Sequence, residues 1–248
     1  MHLIHCSYHK CLTVYYRRVM DAVFNRCLPW SGYRHFNSHA EAFYHEFRRY
    51  RVSSINNRTL DLPRLGHFRV SRFVRDPRDL VVSGYFYHRR GSEPWLTIEA
   101  PTEHDWYFAN GFVPQELRAS RLSFAQYLRS IPEEDGLLAE LEFRRYHFES
   151  MHGWPDAHPQ IATFRYEDIL RDQAGVLGAL FEFYGLSRVE RWLGARFARR
   201  YAVGARSGDP HVRNPSAGQW RAHFTPRVKQ RFDAQYAPLV ARLGYPAD

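Results

Sequence analysis

The chain has 248 residues, of which 44% are hydrophobic and 16% are aromatic, enough to bury the core of one large domain or two small ones. Its formal net charge of +9 indicates an anionic partner: nucleic acid, a membrane surface or a phosphorylated small molecule. The basic residues are spread along the chain rather than gathered in a tail, which favours a lined pocket over nucleic-acid binding. No stretch approaches the ~20 apolar residues that a membrane span needs.

Cysteine usage indicates a reducing compartment. Cys6, Cys11 and Cys27 crowd into the first 27 residues, which is a poor layout for a disulfide framework. The first residues also lack the basic start and apolar core of a secretory leader. We therefore expect a cytoplasmic protein. Because neither Cys-x-x-Cys nor His-Glu-x-x-His occurs, the sequence predicts no metal site.

The predicted elements alternate between strands and helices. In chain order they are a strand over 2–7, a helix over 12–27, a polar connection with His35, Asn37 and His39, a helix over 41–50, strands over 51–55 and 68–74, a helix over 80–89, a broken helix over 122–149, a strand over 161–164, helices over 173–184 and 187–200, a loop over 206–217 and a closing helix over 226–243. This order predicts an α/β fold with a central parallel sheet covered by helices on both faces. No repeat or low-complexity linker occurs, so we expect one domain over residues 1–248.

Residues 91–120 differ from the rest of the chain. They have little periodicity and carry five large aromatic side chains, namely Trp95, Trp106, Tyr107, Phe108 and Phe112. A connection of this length within a compact domain is usually a lid or a binding loop. The alternative is a surface excursion with a small apolar cluster of its own.

Three stretches carry candidate chemistry, and the first follows the strand over 2–7. A polar loop with Lys10 and Thr13 leads into apolar residues at helical spacing. This strand–loop–helix unit would form an anion site from loop amides and a helix amino terminus. It is not a Walker A loop, because the required glycines are absent.

The second stretch runs from Arg75 to Ser83. Arg75 ends a predicted strand, where open α/β sheets place their ligands, and Ser83 lies about two helical turns further on. A guanidinium group and a hydroxyl group together can bind a phosphate. The alternative is a capping network in which Arg75 pairs with Asp79.

The third stretch runs from Arg213 to Thr225. It is a basic loop followed by an aromatic anchor, Trp220, and by a helix start with Thr225 as the N-cap residue and Pro226 in the first helical position. By itself, this stretch predicts only a helix with a favourable N-cap.

Taken in this order, the three stretches resemble the motifs of the sulfotransferase family that uses 3′-phosphoadenosine 5′-phosphosulfate (PAPS). The resemblance spans residues 3 to 245 and implies a fold like that of P-loop NTPases. The first stretch is similar to the family's Tyr-Pro-Lys-Ser-Gly-Thr-Thr-Trp loop, and Arg165–Asp168 is similar to its Tyr-Glu-Asp turn. The cofactor-binding residues that the resemblance implies are His9, Lys10, Cys11, Leu12, Thr13, Val14 and Tyr15 at the 5′ end, Arg75, Ser83, Arg213 and Asn214 at the 3′-phosphate, and Tyr166 beside the adenine.

The chain also departs from the family's pattern. Leu12 replaces the glycine that lets the loop wrap a phosphate, and Val14 removes a hydroxyl donor. Tyr15 replaces a tryptophan that stacks on adenine, and Asn214 replaces the second cation at the 3′-phosphate. These departures predict weaker cofactor binding unless other arginines compensate.

The family's usual general base is also missing. Many members carry Lys-Thr-His where this chain has Val52–Asn57, which contains no histidine or carboxylate. The candidates elsewhere are His35, His39, Glu41, His45, His104 and Asp105. We take His39 as the candidate base, because the pKa of histidine lies near neutrality. Lys10 is the second candidate catalytic residue, because its charge would neutralise the charge that develops on the leaving phosphate oxygen.

The resemblance implies transfer of a sulfuryl group from PAPS to a hydroxyl group or amine, with release of adenosine 3′,5′-bisphosphate (PAP) and without a metal. The expected acceptor is a small aromatic or partly apolar molecule bound between residues 91–120 and the turn over 35–41. We expect no nucleic-acid partner and no membrane span, and a homodimer is left open. Two alternatives stay open: a P-loop kinase that uses ATP, and a non-catalytic nucleotide-binding protein of the same fold.

Overall fold

The computed structural model describes residues 1–202 and 216–248. The chain divides into two compact units, which are described separately below. The first comprises Met1–Arg75 and Trp154–Pro215, and the second comprises Asp76–Gly153 and Ser216–Asp248. The prediction of one domain over residues 1–248 stays a prediction.

The described elements follow the predicted alternation of strands and helices. The strands are β1 (His2–Ser7), β2 (Tyr33–His35), β3 (Val52–Asn56), β4 (Phe68–Val74) and β5 (Ile161–Arg165). The helices are α1 (Thr13–Asp21), α2 (Ala40–Glu46), α3 (Pro77–Arg90), α4 (Gln115–Ser120), α5 (Phe124–Ser130), α6 (Glu133–Phe143), α7 (Arg145–His152), α8 (Tyr166–Arg171), α9 (Gln173–Phe183), α10 (Arg188–Arg200), α11 (Trp220–His223) and α12 (Pro226–Arg242). A π-helical turn over Ala22–Cys27 extends α1, and a 3₁₀ turn over Phe47–Arg49 follows α2.

The first unit is built on a parallel sheet with the strand order β2-β3-β1-β4-β5. Leu3 of the central strand β1 is level with Val52 of β3 and with Arg69 of β4. Residues 3–7 of β1 are all buried, as expected for a strand covered on both faces. Because parallel strands end at the same edge of a sheet, the loops that follow β1, β3 and β4 come together there. The predicted α/β fold with a parallel sheet is confirmed.

Strand β2 and the placement of His35 were not predicted. Residues 33–35 form a short edge strand parallel to β3, where the sequence suggested only a polar connection. A strand of three residues is too short to show an alternating pattern, and it contains the polar residues Arg34 and His35. Pairing with β3 therefore overrides a local sequence that predicts no strand.

The sheet of the first unit contains two histidines, of which His5 is buried and His35 is half-buried. His5 of β1 is 1% exposed, its Nδ1 lies 2.7 Å from Ser71 Oγ, and its ring stacks on Tyr16 with 3.7 Å between the ring centroids. The Nδ1 atom of His35 lies 2.8 Å from Ser54 Oγ. Burial lowers the pKa of His5, and burial together with the nearby Arg17 charge lowers the pKa of His35 to about 3. Both imidazoles are therefore neutral in the folded protein near neutral pH.

The second unit is helical and has a buried ionic group at its centre. His88 Nδ1 lies 2.6 Å from Glu140 Oε2, and Glu140 Oε1 lies 2.8 Å from Arg144 Nε. All three side chains are fully buried, so their mutual pairing offsets the loss of hydration. A β-carbon on Gly84 would come within 1.9 Å of Glu140 Oε1. Glycine at this position of α3 therefore lets α6 approach closely enough to place the carboxylate.

Residues 91–120 contribute a few buried side chains to the core of the second unit, while many of their other side chains are exposed. Trp95 and Trp106 are buried against Phe124 and Phe143, with Trp106 fully enclosed. The exposed members of the aromatic set are Tyr107 and Phe108, at 44% and 36% exposure. The two tryptophans contact each other and also pack on rings from outside the segment, and the alternative of a surface excursion with an apolar cluster of its own stays a prediction. The role of residues 91–120 as an acceptor lid stays a prediction.

Within residues 1–202 and 216–248, no helix combines the length and the apolar character needed to cross a membrane.

We predict that the free energy of unfolding falls as the pH drops below about 6.5, because of the buried histidines. Above that pH the histidines are neutral in both states. Below it the unfolded chain binds protons that the folded chain rejects, because the folded pKa of His35 is lowered to about 3. Each such histidine then removes about 1.4 kcal/mol of stability per pH unit. Urea unfolding between about pH 7 and about pH 5 measures this slope.

The variant His35→Asn should have a shallower slope than the wild type by the contribution of one histidine. The exposed His45 on α2 supplies a second histidine-to-asparagine variant, His45→Asn, for comparison under the same conditions. Equal slopes in the wild type and His35→Asn would show that His35 does not resist protonation.

Candidate functional site

The loop between β1 and α1 has the backbone geometry of an anion site. Lys10 and Leu12 both adopt left-handed conformations, with φ of 72° and 59°. Left-handed residues that alternate with right-handed ones turn successive amides towards one concave side, where an anion can bind. Leu12 directly precedes α1, and no side chain caps the first turn of that helix. The helix amino terminus therefore adds amide donors and a partial positive charge to the loop.

Leu12 adopts a backbone conformation that glycine reaches readily. The sequence left it unresolved whether a leucine here still lets the loop wrap a phosphate. The φ of 59° is in the region that glycine adopts readily, and the conformation costs a leucine about 1–2 kcal/mol. Leucine therefore carries a conformational cost at this position that glycine would not.

Side chains from β1 and β3 fix the two ends of this loop. Ser7 Oγ lies 2.9 Å from Thr13 Oγ1 and donates to Asn56 Oδ1 at 3.1 Å. Asn57 Oδ1 accepts a hydrogen bond from the His9 amide at 2.8 Å, and the Asn57 amide donates to the Ser7 carbonyl oxygen at 2.9 Å. Asn57 is 4% exposed. The buried Asn57 side chain therefore supports the loop from below through these hydrogen bonds.

Asn57 also links the loop to the turn before α2. Its Nδ2 donates to Ser38 Oγ at 3.2 Å, and the amide of Asn56 donates to the Asn37 carbonyl oxygen at 2.6 Å. His39, the residue after Ser38, is exposed and stands in the N-cap position of α2. These contacts bring the turn that carries His39 to the same sheet edge as the loop that carries Lys10.

The asparagines at the end of β3 are site residues that the sequence analysis missed. Val52–Asn57 contains neither a histidine nor a carboxylate, and its asparagines are not among the site residues that the sequence predicts. The usable signal was the Asn56-Asn57 pair directly after a strand, since asparagine adopts left-handed conformations readily and Asn57 has φ of 57°.

Arg75 and Tyr166 meet at the carboxyl end of β4. Arg75 is 2% exposed, and its guanidinium carbon lies 4.1 Å from the centroid of the Tyr166 ring, at the start of α8. A cation at this distance from an aromatic face is attracted to it. The resemblance assigned the two residues to the 3′-phosphate and to the adenine, and the structure brings them into contact.

The second unit contains the rest of the second stretch. Asp76 caps α3 by accepting from the Arg78 amide at 2.9 Å and also binds the Arg78 guanidinium. Asp79 accepts from the amides of Gly218 and Trp220 at 2.6 and 3.0 Å. Asp79 thus joins the second and third stretches within this unit, a role that the proposed Arg75–Asp79 capping pair did not anticipate.

Of the three other predicted 3′-phosphate residues, only Ser83 is among the described residues. Ser83 is half-buried on α3. Arg213 and Asn214 lie outside the described residues, so the structure does not place them.

Comparison with known proteins identifies the family. The sulfotransferase domain family matches residues 65–244, which is more than half of the chain. The chain belongs to the sulfotransferase domain family. A comparison with curated proteins gave no match.

Solved sulfotransferases share the fold of this family member. The mouse sulfotransferase SULT7A1 complexed with PAP aligns with a TM-score of 0.57 and 16% identity, covering 96% of this chain and 84% of that one. Retinol dehydratase in a complex with retinol and PAP aligns with a TM-score of 0.53 and 16% identity, covering 98% of this chain and 83% of that one. At these identities the likeness supports the fold alone.

Three further predicted cofactor residues, Cys11, Val14 and Tyr15, lie in the loop and the first turn of α1. Cys11 is fully buried, and its amide donates to the Tyr8 carbonyl oxygen at 2.9 Å, as expected for a small filler residue. Tyr15 is 4% exposed, and its hydroxyl donates to the Ala198 carbonyl oxygen of α10 at 3.2 Å. That bond anchors α10 against α1. Val14 is half-buried at the start of α1.

The candidate bases of the sulfotransferase domain differ in their surroundings. His35 is a poor base because burial lowers its pKa to about 3. Asp105, in the second unit, accepts hydrogen bonds from the Thr102 hydroxyl and amide, and these bonds lower its pKa. The exposed candidates are Glu41, His45, His104 and His39. Among the described residues, no group of three or more histidine, cysteine, aspartate or glutamate side chains is arranged to hold a metal ion.

We predict that Asn57→Ala loosens the loop over residues 8–12. The variant removes the acceptor of the His9 amide and the donor to Ser38. It also places an alanine in a left-handed conformation, which is unfavourable for that residue. Peptides that cover this loop should exchange amide hydrogen for deuterium at least several-fold faster than in the wild type, as measured by mass spectrometry.

Two further variants separate the contributions of Asn57. Asn57→Gly removes the side chain but tolerates the positive φ, so it isolates the lost hydrogen bonds from backbone strain. Asn57→Asp keeps an acceptor for His9 and loses the donor to Ser38, so it should loosen the turn before α2 more than the loop. Unchanged exchange in all three variants would show that Asn57 does not fix the loop.

Proposed function

We propose that this protein transfers a sulfuryl group from PAPS to a hydroxyl group or an amine of a small-molecule acceptor and releases PAP. The observation that carries the proposal is the uncapped, left-handed loop with Lys10 at the carboxyl edge of the sheet. In a member of the sulfotransferase domain family, an anion site at this point fits the 5′ end of PAPS. The neighbouring mouse sulfotransferase and retinol dehydratase hold PAP, which supports the choice of cofactor.

The residues of this chain fit PAPS at both ends. The amides at the start of α1, over residues 12–14, and the Lys10 ammonium group would bind the 5′-phosphosulfate, whereas the amides of His9 and Cys11 are bonded to Asn57 Oδ1 and to the Tyr8 carbonyl oxygen. Arg75, buried at the edge of the same sheet and stacked on Tyr166, would bind the 3′-phosphate beside the adenine. Ser83, Arg213 and Asn214 are proposed for the 3′-phosphate on the motif resemblance alone. When bound, PAPS supplies an activated sulfuryl group.

Lys10 and the loop amides would stabilise the charge that develops on the leaving oxygen. A charge-stabilising group is most effective when it is already oriented before the reaction. The bonds of Asn57 and Ser7 to the loop hold the amides in place, so little reorganisation is needed. Lys10 is half-buried, which strengthens its interaction with an anion relative to open solvent.

His39 is the proposed base for the acceptor proton. The Asn57–Ser38 bond ties its turn to the loop, and its exposure leaves the imidazole accessible. His35 is excluded by its lowered pKa, because a group that holds a proton only below about pH 3 is a weak base near neutrality.

The proposed acceptor is small and aromatic or partly apolar. The exposed rings of Tyr107 and Phe108 support an apolar contact surface. Retinol dehydratase neighbours are complexed with retinol and with androsterone, which are molecules of this kind. We also propose a cytoplasmic location, because the cysteine usage indicates a reducing compartment. A homodimer is proposed as well.

We predict that Lys10→Ala lowers kcat for sulfuryl transfer by about 10²–10³-fold, because it removes one donor to the leaving oxygen. PAP release from PAPS with a panel of phenols and alcohols measures the rate. The matched control is the chain's other lysine, Lys229, which pairs with Asp233 on α12, so Lys229→Ala should retain the wild-type rate.

A wild-type rate in Lys10→Ala would remove Lys10 from the mechanism. If calorimetry detects PAP binding but no acceptor yields a product, the protein is a nucleotide-binding member of the fold and the proposed transferase function is wrong. Tight ATP binding without PAP binding would instead favour the kinase alternative.

We predict that His39→Asn lowers kcat while leaving PAP affinity unchanged, because the residue handles only the acceptor proton. The exposed His45 on α2 provides the control variant His45→Asn, which should keep the wild-type kcat and the wild-type PAP affinity. A wild-type kcat in His39→Asn would assign the base elsewhere.

A further inference from the structure

Two tryptophans of this chain are exposed, and both belong to the first unit. Trp30 is 79% exposed and Trp192 is 62% exposed. The chain has six tryptophans, and the other four are buried, namely Trp95, Trp106, Trp154 and Trp220. Large apolar side chains that are left in water on one part of a protein indicate an interaction surface.

Both exposed tryptophans belong to segments at the amino edge of the sheet. Trp30 is in the loop before β2, and the carbonyl oxygen of the next residue, Ser31, accepts from the Arg51 amide at 3.0 Å. The Arg51 guanidinium group pairs with Glu190 in the first turn of α10, with 2.9 Å between Arg51 Nε and Glu190 Oε1. Because Arg51 directly precedes β3, the loop with Trp30 and the start of α10 meet where the strands begin.

The outer side of α10 combines apolar and basic side chains. The exposed Val189 lies three residues before Trp192, so the two share one face of the helix. The carboxylate of α10, that of Glu190, is buried and turned inward to Arg51. The arginines of α10 are all exposed, namely Arg188, Arg191, Arg196, Arg199 and Arg200. The outer side of this helix therefore carries apolar and cationic groups.

These groups lie at the opposite edge of the sheet from the candidate site. The Lys10 loop follows the carboxyl end of β1, whereas Trp30 and Arg51 precede β2 and β3. Helix α10 runs from one edge towards the other, since its first turn bonds to Arg51 and Ala198 near its end accepts from Tyr15 of α1. An occupant at the amino edge is therefore separated from the Lys10 loop by the length of the strands.

We propose that the surface formed by Trp30, Val189, Trp192 and the arginines of α10 binds an anionic lipid membrane. Indole rings are favoured at the boundary between lipid headgroups and acyl chains. Guanidinium groups beside them pair with lipid phosphates and are attracted by the negative surface potential. A helix whose outer side has this composition is typical of segments that lie in the plane of the membrane interface. The net charge of +9 favours the same partner.

The charge of this surface favours a membrane over a second copy of the chain. In a two-fold interface built on this face, the arginines of one α10 would meet those of the other, and like charges repel. A bilayer that contains anionic lipids has the opposite charge. It also deforms around projecting side chains, so the two indole rings need no matching pocket.

Sedimentation of the full chain with lipid vesicles tests the proposal. Vesicles of phosphatidylcholine are compared with vesicles of phosphatidylcholine and phosphatidylglycerol in equal parts. We expect binding to the anionic vesicles, and this binding should weaken as salt is raised. The double variant Trp30→Ser with Trp192→Ser should lower the partition coefficient by roughly tenfold or more, and so should Arg188→Gln with Arg191→Gln.

Matched controls remove similar groups elsewhere. Tyr107→Ser removes an exposed ring of the second unit, and Arg171→Gln removes an exposed arginine of α8. Both variants should keep the partition coefficient within about twofold. Trp192→Phe keeps an apolar ring and should retain part of the binding, which distinguishes a lost contact from a lost fold. Equal losses in the double tryptophan variant and in Tyr107→Ser would overturn the proposal.

Fluorescence quenching identifies the face that meets the membrane. Because the other four tryptophans are buried, lipids with brominated acyl chains should quench Trp30 and Trp192 selectively. The quenching should disappear in the double variant Trp30→Phe with Trp192→Phe. Vesicle binding without quenching would place another face on the membrane and overturn the proposal.

The absence of vesicle binding would also overturn the proposal. In that case, sedimentation velocity shows whether the surface joins two copies, because a wild-type dimer would dissociate in Trp30→Ser with Trp192→Ser. None of these measurements depends on sulfuryl transfer, so a failure of the proposed transferase function leaves their outcome unchanged.

Discussion

The hydrogen bond from the His9 amide to Asn57 Oδ1 is the contact on which the candidate site depends. It holds the loop after β1 against the end of β3, and the Nδ2 atom of the same residue holds Ser38. A parallel sheet brings loop starts to one edge but does not set their separation. Asn57 sets it with a buried side chain, so that the Lys10 loop and the His39 turn keep a fixed relation to each other.

Polar groups are buried in both units, but they are neutralised in different ways. In the sheet, His5 and His35 are neutral imidazoles that bond to serine hydroxyls. In the helical unit, Glu140 instead pairs with His88 and Arg144. A neutral imidazole depends on the pH of the solution, whereas a paired carboxylate depends on its partners being present. The two cores therefore respond to different perturbations, acid in one and substitution in the other.

The sequence predicted the features that depend on local patterns. The apolar run of β1, the polar loop with Lys10 and the cap at Thr225 all have signatures within a few residues, and each has its predicted place. Asn57 was missed because its function arises from contacts across 19 and 48 residues of chain. Likewise, the aromatic residues of 91–120 show no stripe, because Trp95 and Trp106 are buried by partners from other segments.

The positive φ of Leu12 shows that a leucine can stand at a left-handed position of an anion-binding loop. An anion cradle made of backbone amides is encoded in dihedral angles, and several side-chain sequences can satisfy the same angles when neighbouring contacts hold the ends. Descendants of one ancestral loop can therefore lose the glycine while the cradle persists. Relatives of this kind are better recognised by their backbone conformation than by residue identity, and a search that demands the glycine would pass over them.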